Sequence, residues 1–274
     1  MTIDTSTVGT SVSNVLQAVL KDTTGEVFAI GLREDATESL INVLDELTDP
    51  PTVRIITEES VLKWARDDFL LASTAADLKA DEILSWRASD EPVRSTLIVT
   101  ENSVVSVVPA GERTAGLLTD DAEFVESARS EWTEDWNDAE EFHLRTPPRS
   151  QVYESLAEEI GTEVETDFRT MLDSLGTTRG DFDEVSIALL AATKHEIQLY
   201  EISRWGEDTG LASKATFSRE KSRLENQGLI DTDKVPIDVG RPRLRLGLGD
   251  QRLRNADAEE FHNMAQELLS TTPA

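Results

Sequence analysis

The sequence predicts an α/β N-terminal domain with a mixed sheet, a β-α-β unit plus a hairpin, followed by a mainly α domain that closes on a pair of strands. Three observations predict it. Short β-branched runs flank one amphipathic stretch in the first half, the two prolines of "RTPPRS" (145–150) interrupt the chain, and apolar residues recur at helical spacing beyond them. A chain of 274 residues is long enough for about two domains. The expected division is 1–145 as a sensor or dimerisation domain, 146–180 as a linker helix able to pair two subunits, and 181–274 as a helical domain ending in a C-terminal helix.

Acidic residues number 54 against 26 basic ones, for a formal net charge of -28. They alternate with regular apolar positions, as on the solvated faces of folded elements. Lys is scarce beside Arg and large aromatics are few, which suits a protein of a very salty cytoplasm, where a Debye length of about 3 Å screens surface repulsion. A halophilic origin is expected. With no cysteine there is no disulfide and no thiolate metal site, so neither a metal nor a cofactor is expected. The start, "MTIDTSTVGTSVSNVL", has no basic and apolar leader, and no run reaches the ~18 apolar residues of a span. A cytoplasmic location without a membrane partner is expected.

The strands predicted in the first half are "VFAIGL" (27–32), "VRIIT" (53–57), "ILSWRA" (83–88), "STLIVT" (95–100) and "SVVSVV" (103–108). Leu40, Ile41, Leu44 and Leu47 share one helical face between the first two, which makes a β-α-β unit with parallel strands. Glu101 and Asn102 form a two-residue loop in which Asn supplies a positive φ, pairing the last two strands as a hairpin. A helix through "TDDAEFVESARSEWTEDWNDAEEF" then places Phe124, Ala128, Trp132 and Trp136 in one row, as a core-packing stripe or, alternatively, a partner-binding or dimer face.

After the prolines, Val152, Leu156, Ile160, Val164, Phe168 and Leu172 recur every four residues and predict one long helix, softened at Gly161. Its seam is expected to pack on the same helix of a second subunit, with its own domain as the alternative. "DEVSIALLAATKHE", "LYEISRWGEDTG" and "LASKATFSREKSRLENQGLI" follow as helices, with Gly210 at the turn before the third. Three helices and then two strands are the order of a winged helix-turn-helix DNA-binding domain, whose third helix projects into a major groove. Ser213 is its expected N-cap, Phe217 and Leu224 lie inward, and Gly228 ends it. A step of about 100° per residue turns Ala215, Arg219, Ser222 and Asn226 outward, flanked by Thr216, Ser218 and Arg223. Small, polar and basic residues on one face permit close approach and hydrogen bonds to phosphates and base edges. The wing turns at Gly240, with Leu244 and Leu246 inward and Arg243 and Arg245 outward.

Residues 212–254 contain ten basic and six acidic side chains, a net of +4 in an otherwise strongly acidic chain. Such an island is the electrostatic footprint of a reader of double-stranded promoter DNA. The expected DNA contacts are Ser213, Lys214, Ala215, Thr216, Ser218, Arg219, Ser222 and Arg223 on the helix, with Arg241, Arg243 and Arg245 gripping phosphate or the minor groove from the wing.

"LYEISRWGEDTGLASKATFSREKSRLENQGLIDTDKVPIDVGRPRLRLGLGD", "TLIVTENSVVSVVPAG" and "AGLLTDDAEFVESARSEW" resemble the haloarchaeal TbsP-type transcriptional regulators across nearly the whole chain. The resemblance implies a DNA-binding regulator of central carbon metabolism, acting beside the sugar-responsive TrmB regulators. The first half is also similar in layout to the phospholipase-D-like sensor domain of that group. It lacks a His-x-Lys pair, however, since the three histidines read His143-Leu-Arg, His195-Glu-Ile and His262-Asn-Met, so phospholipase chemistry is not supported.

No G-x-x-x-x-G-K-[ST] run is present, "GLGD" at 247–250 is too short for a dinucleotide loop, and no histidine is placed as the base of a triad. An enzyme is not expected. Three readings stay open: a homodimeric regulator responsive to a small phosphorylated or sugar-related effector, a DNA-binding regulator with no ligand, and a winged-helix protein adaptor. An effector site, if built as in open α/β sheets, falls at the carboxyl ends of the first two strands, at Gly31, Arg33, Thr57 and Ser60. The bland alternative there is that these residues simply lead into helices.

Overall fold

The computed structural model describes residues 6–9, 11–89, 95–175, 182–236, 242–250 and 253. Two compact units divide the chain, Met1–Pro148 and Arg149–Ala274.

In the first unit the order is β1 (Ser6–Gly9), α1 (Val12–Leu20), β2 (Glu26–Ile30), α2 (Glu34–Glu46), β3 (Thr52–Glu58), α3 (Glu59–Arg66), α4 (Phe69–Ala80), β4 (Leu84–Ser89), β5 (Thr96–Val99), β6 (Val104–Ala110), β7 (Arg113–Thr119), α5 (Ala122–Asp138) and β8 (Glu140–Glu141). The strands form a mixed sheet in the order β1-β7-β6-β5-β2-β3-β4-β8. β2, β3 and β4 run parallel, with Val27 opposite Val53 and Ile55 opposite Trp86, whereas β5, β6 and β7 form an antiparallel meander. The continuous apolar run of β2 follows from burial on both faces. Val27 and Ala29 join a core with α1, α2 and α4, while Phe28 and Ile30 turn to the other face, with Ile56, Val99, Val125 and Trp136.

Several local expectations are corrected. The β5–β6 hairpin does not use a positive φ at Asn102; among the described non-glycine residues only Glu82 and Glu196 have one. Instead Thr100 Oγ1 accepts from the N–H of Asn102 at 3.2 Å and of Ser103 at 2.9 Å, so a threonine side chain closes the turn. On α5 the buried stripe begins at Val125, not Phe124, which is 54% exposed; Trp136 is buried, and Ala128 and Trp132 pack partly against the same core. Three arginines attach this helix to the sheet. Arg54 lies 5.3 Å and Arg87 4.8 Å from the Trp136 ring centroid, and Arg129 donates to the Glu26 carbonyl at 3.2 Å.

In the second unit come α6 (Arg149–Glu159), α7 (Thr162–Leu175), α8 (Glu184–Lys194), α9 (Leu199–Asp208), α10 (Lys214–Asn226), β9 (Ile230–Val235) and β10 (Arg243–Leu248). The single long helix expected over 152–172 is two helices, broken at Gly161 with φ +147°, a backbone conformation that side chains disfavour. Much of its apolar seam is buried within one chain. Val152, Leu156 and Phe168 are fully buried, Phe168 meets the edge of Trp205 at 6.3 Å, and Trp205 Nε1 donates to Ser155 Oγ at 3.0 Å. The expected C-terminal helix, with His262, lies outside the described residues.

A candidate nucleic-acid interface

The recognition helix is built from local signals. Gly210 takes φ +80° at the turn after α9, and the Ser213 side chain accepts the N–H of Thr216 at 3.1 Å, satisfying one of the open donors of the first turn. Gly206 on α9 lets the Phe217 ring press against its backbone; a Cβ there would overlap the ring. Phe217 and Leu224 are buried, and Ala215, Ser218, Arg219, Ser222 and Asn226 are exposed on the opposite face, with Thr216 half-buried beside them. Gly228, at φ +76°, ends the helix before Leu229 and β9.

The cations of this region are not equivalent. Arg219 makes no ion pair or hydrogen bond with any described residue. Lys214, also exposed, is paired with Glu207; that hydrogen bond is the main cause that raises the lysine and lowers the glutamate from their ordinary values. Arg223 points elsewhere. Its Nε lies 2.8 Å from Glu220 Oε1 and its Nη2 3.2 Å from Ser186 Oγ, so the guanidinium is engaged with the body of the domain and not with the outward face. Lys221 is buried, pairs with Glu225 at 2.8 Å, and through Glu225 reaches Thr232 on β9.

On the wing, β9 and β10 pair antiparallel with Arg245 opposite Asp233. Ile197 and Gln198, just before α9, extend this pairing: Leu246 N donates to the Ile197 carbonyl at 3.0 Å, and Gln198 bridges to Arg245. Leu246 is buried as expected but Leu244 only partly. Arg245 is exposed near Asp233 (3.7 Å) and Glu196 (3.9 Å), while Arg243 is half-buried over the Tyr200 ring. Arg241 and the turn at Gly240 lie outside the described residues.

Two family models cover the chain between them. Residues 4–147 match "Transcriptional regulator TbsP-like, N-terminal" and residues 148–266 match "Transcriptional regulator TbsP-like, C-terminal HTH domain". The chain belongs to the TbsP-like transcriptional regulators. Its C-terminal unit is the helix-turn-helix domain of that family, and its N-terminal unit the family's α/β domain. A comparison with curated proteins found no match. Among solved structures the regulator is similar to TrmBL2, described as an archaeal chromatin protein with a novel mode of DNA binding, at 15% identity and a TM-score of 0.37. That match covers 52% of this chain and about half, 55%, of the TrmBL2 chain. It is also similar to Nuc, a phospholipase D family member from Salmonella typhimurium, at 13% identity and a TM-score of 0.35, covering 51% of this chain and 98% of that one. NucT from Helicobacter pylori gives 12%, 0.34, 50% and 99% for the same quantities.

In the N-terminal unit of this regulator, Gly31, Arg33, Thr57 and Ser60 lie at or just beyond the carboxyl ends of β2 and β3. Gly31 N donates to the Ile56 carbonyl at 2.8 Å, and the buried Thr57 hydroxyl donates to the Leu32 carbonyl at 2.6 Å. Ser60 turns to Glu58, and the exposed Arg33 lies 3.6 Å from Asp35. Glu34, Asp35, Glu58 and Glu59 ring the helix starts, so a phosphate would meet carboxylates first.

Among the histidines, His195 Nε2 sits 2.8 Å from Asp167, which also holds Lys194 at 3.0 Å; the group fastens α8 to α7. Sequence reasoning missed Tyr200, which is 45% exposed at the start of α9, and Gln198 beside it. An exposed aromatic in the first turn of an HTH helix was the available signal. Its link to Arg243 was not, because 43 residues separate the two.

Proposed function

We propose that this regulator reads double-stranded promoter DNA sequence-specifically with the exposed face of α10, and steadies itself on the phosphate backbone with the β9–β10 wing. The observation that carries the reading is Arg219, a guanidinium with no partner among the described residues, set among small polar residues on the outward face of an HTH helix, inside a net-positive segment of an acidic chain. Ala215, Ser218 and Ser222 leave room for the groove, and Ser213, Thr216 and Lys214 lie where the helix N-terminus approaches phosphate. The strong acidity supports work in the cytoplasm of a halophilic archaeon, where screening hides the carboxylates from DNA beyond a few ångströms. Two-fold reading of a palindromic site makes a homodimer the working form, and control of central carbon metabolism is the role we assign to it.

A response to a sugar-related metabolite is one form of this proposal. Regulation without any small anionic effector is the second, and the acid-ringed ends of β2 and β3, with their hydroxyls and amides already engaged, favour it.

Fluorescence-anisotropy titration of labelled native promoter fragments and scrambled duplexes in about molar KCl tests the reading. Selective binding is expected, with and without added sugar phosphates. A change with one metabolite would establish the sensing form. No selective binding at any salt would overturn DNA reading and leave the domain as a protein-interaction module.

A further inference from the structure

The Arg243 guanidinium carbon lies 4.3 Å from the centroid of the Tyr200 ring, and Arg243 Nη1 donates to Gln198 Oε1 at 3.4 Å. Both supports come from the start of α9, and the pairing of Ile197 and Gln198 with β10 fixes their register against the wing. A guanidinium clamped by a ring on one side and an amide at one edge keeps its other N–H groups in a set direction. Tyr200 itself is 45% exposed, and its hydroxyl makes no hydrogen bond with any described residue.

The same phenol acts electrostatically on the first residue of α10. Lys214, the first residue of α10, is raised chiefly by its hydrogen bond to Glu207, but Tyr200 is also among the groups acting on it. Arg243 and Tyr200 thus join the wing to the start of α9, the helix that precedes α10. The nearby carboxylates, Glu207 and Asp208, are both engaged, with Lys214 and Arg204.

We infer that Tyr200 is a positioning residue for the DNA backbone: its ring aims the Arg243 guanidinium at a phosphate, and its hydroxyl donates to the same strand between Arg243 and Lys214. The inference rests on the DNA-reading proposal above and adds a part to it. Its physical basis is salt. At about molar ionic strength a freely moving surface cation gains little from phosphate, because its charge is screened within a few ångströms. A guanidinium whose direction is set in advance loses less conformational entropy on docking and retains its hydrogen bonds.

The test compares the full-length chain with Tyr200→Leu, Tyr200→Phe, Arg243→Gln and the double variant Tyr200→Leu/Arg243→Gln. Each is titrated against a fluorescein-labelled mixed-sequence duplex over a KCl series, with circular dichroism melts to verify folding. Tyr200→Leu is expected to flatten the slope of log K against log salt by about 0.9, the share of one phosphate, as Arg243→Gln does. The double variant is expected to lose no more than either single one. Tyr200→Phe keeps the ring and should restore the slope, while weakening binding by roughly two- to fivefold through the lost hydroxyl. An unaltered slope in Tyr200→Leu, or additive losses in the double variant, would overturn the positioning role. Full affinity in Tyr200→Phe would overturn the hydroxyl's part. Absence of binding by the unsubstituted chain would instead remove the DNA reading on which the inference stands.

Discussion

Arg223 and Glu220, one turn apart on α10, face each other with Nε 2.8 Å and Nη2 2.6 Å from the same carboxylate oxygen. That oxygen also lies 2.7 Å from Ser186 Oγ, and Ser186 is bound at its backbone by the α8 N-cap Asp183 at 2.8 Å. The network fastens the recognition helix to the body of its domain. Arg223 is thus held within its domain, while Arg219, four residues earlier, makes no ion pair or hydrogen bond with any described residue.

The two arginines should separate cleanly by experiment. Arg223→Ala is expected to lower the melting temperature, at a cost of about 1 kcal/mol given its partial exposure. Arg219→Ala should melt like the parent protein but bind promoter DNA more weakly, by about 1–3 kcal/mol, and discriminate less between sites. Thermal unfolding and anisotropy on the same samples decide the matter. Weak binding with unchanged melting in Arg223→Ala would return that residue to the groove.

A second expectation concerns acid. Hydrogen bonds from Lys221 first, and from Thr232, hold the Glu225 carboxyl below its ordinary value. The folded state thus favours the ionised form, so this contribution to stability is present above the usual carboxylate range and is lost as pH falls through the depressed value. Glu225→Gln should be less stable than the parent at neutral pH, and the difference should shrink towards zero in acid. Denaturant unfolding across a pH series measures it, and a pH-independent difference would refute the linkage.

Packing at Gly206 makes a third. The close approach of the Phe217 ring leaves no room for a methyl group. Gly206→Ala is therefore expected to destabilise the HTH domain by about 1–3 kcal/mol, even though alanine is the better helix former by about 1 kcal/mol. Adding Phe217→Leu should recover part of the loss in thermal melts, whereas a stabilised single variant would show that α9 and α10 do not meet as described.

In the N-terminal unit, Arg87 donates to the carbonyls of Trp136, Asn137 and Ala139 and stacks on Trp136, closing the end of α5. Arg87→Met should leave those carbonyls without their charged donor, at about 1–3 kcal/mol, and speed amide hydrogen exchange in the last turn of α5. Exchange confined to other segments would place the anchor elsewhere.

What the sequence determined by itself was whatever is encoded within a few residues. The β-branched runs at 27–32 and 53–57 and the helix between them are self-announcing, because periodicity and capping are local. The same holds for Ser213 as N-cap, Gly210 and Gly228 at the ends of α10, and the inward pair Phe217 and Leu224. α1 is equally readable, with Ser11 capping a run that buries Val15, Leu16 and Leu20. β7 is not: Ala115 and Gly116 form strands poorly, and the segment is extended because β6 pairs with it from Val104–Thr119 to Ala110–Arg113 and β1 pairs along its other edge.

Tertiary structure alone decided which groups remain free. Apolar spacing runs through Gly161 unbroken, so only the fold showed that the seam divides into two helices around Trp205. A count of positive charges could not tell Arg219 from Arg223, nor place Arg243 on Tyr200, nor show Thr57 turned to the Leu32 carbonyl. A side chain's periodicity is set by its neighbours in sequence, but its partner is set by residues brought close from tens of positions away. For a charged or hydroxyl group, that partner decides between a strut and a binding site.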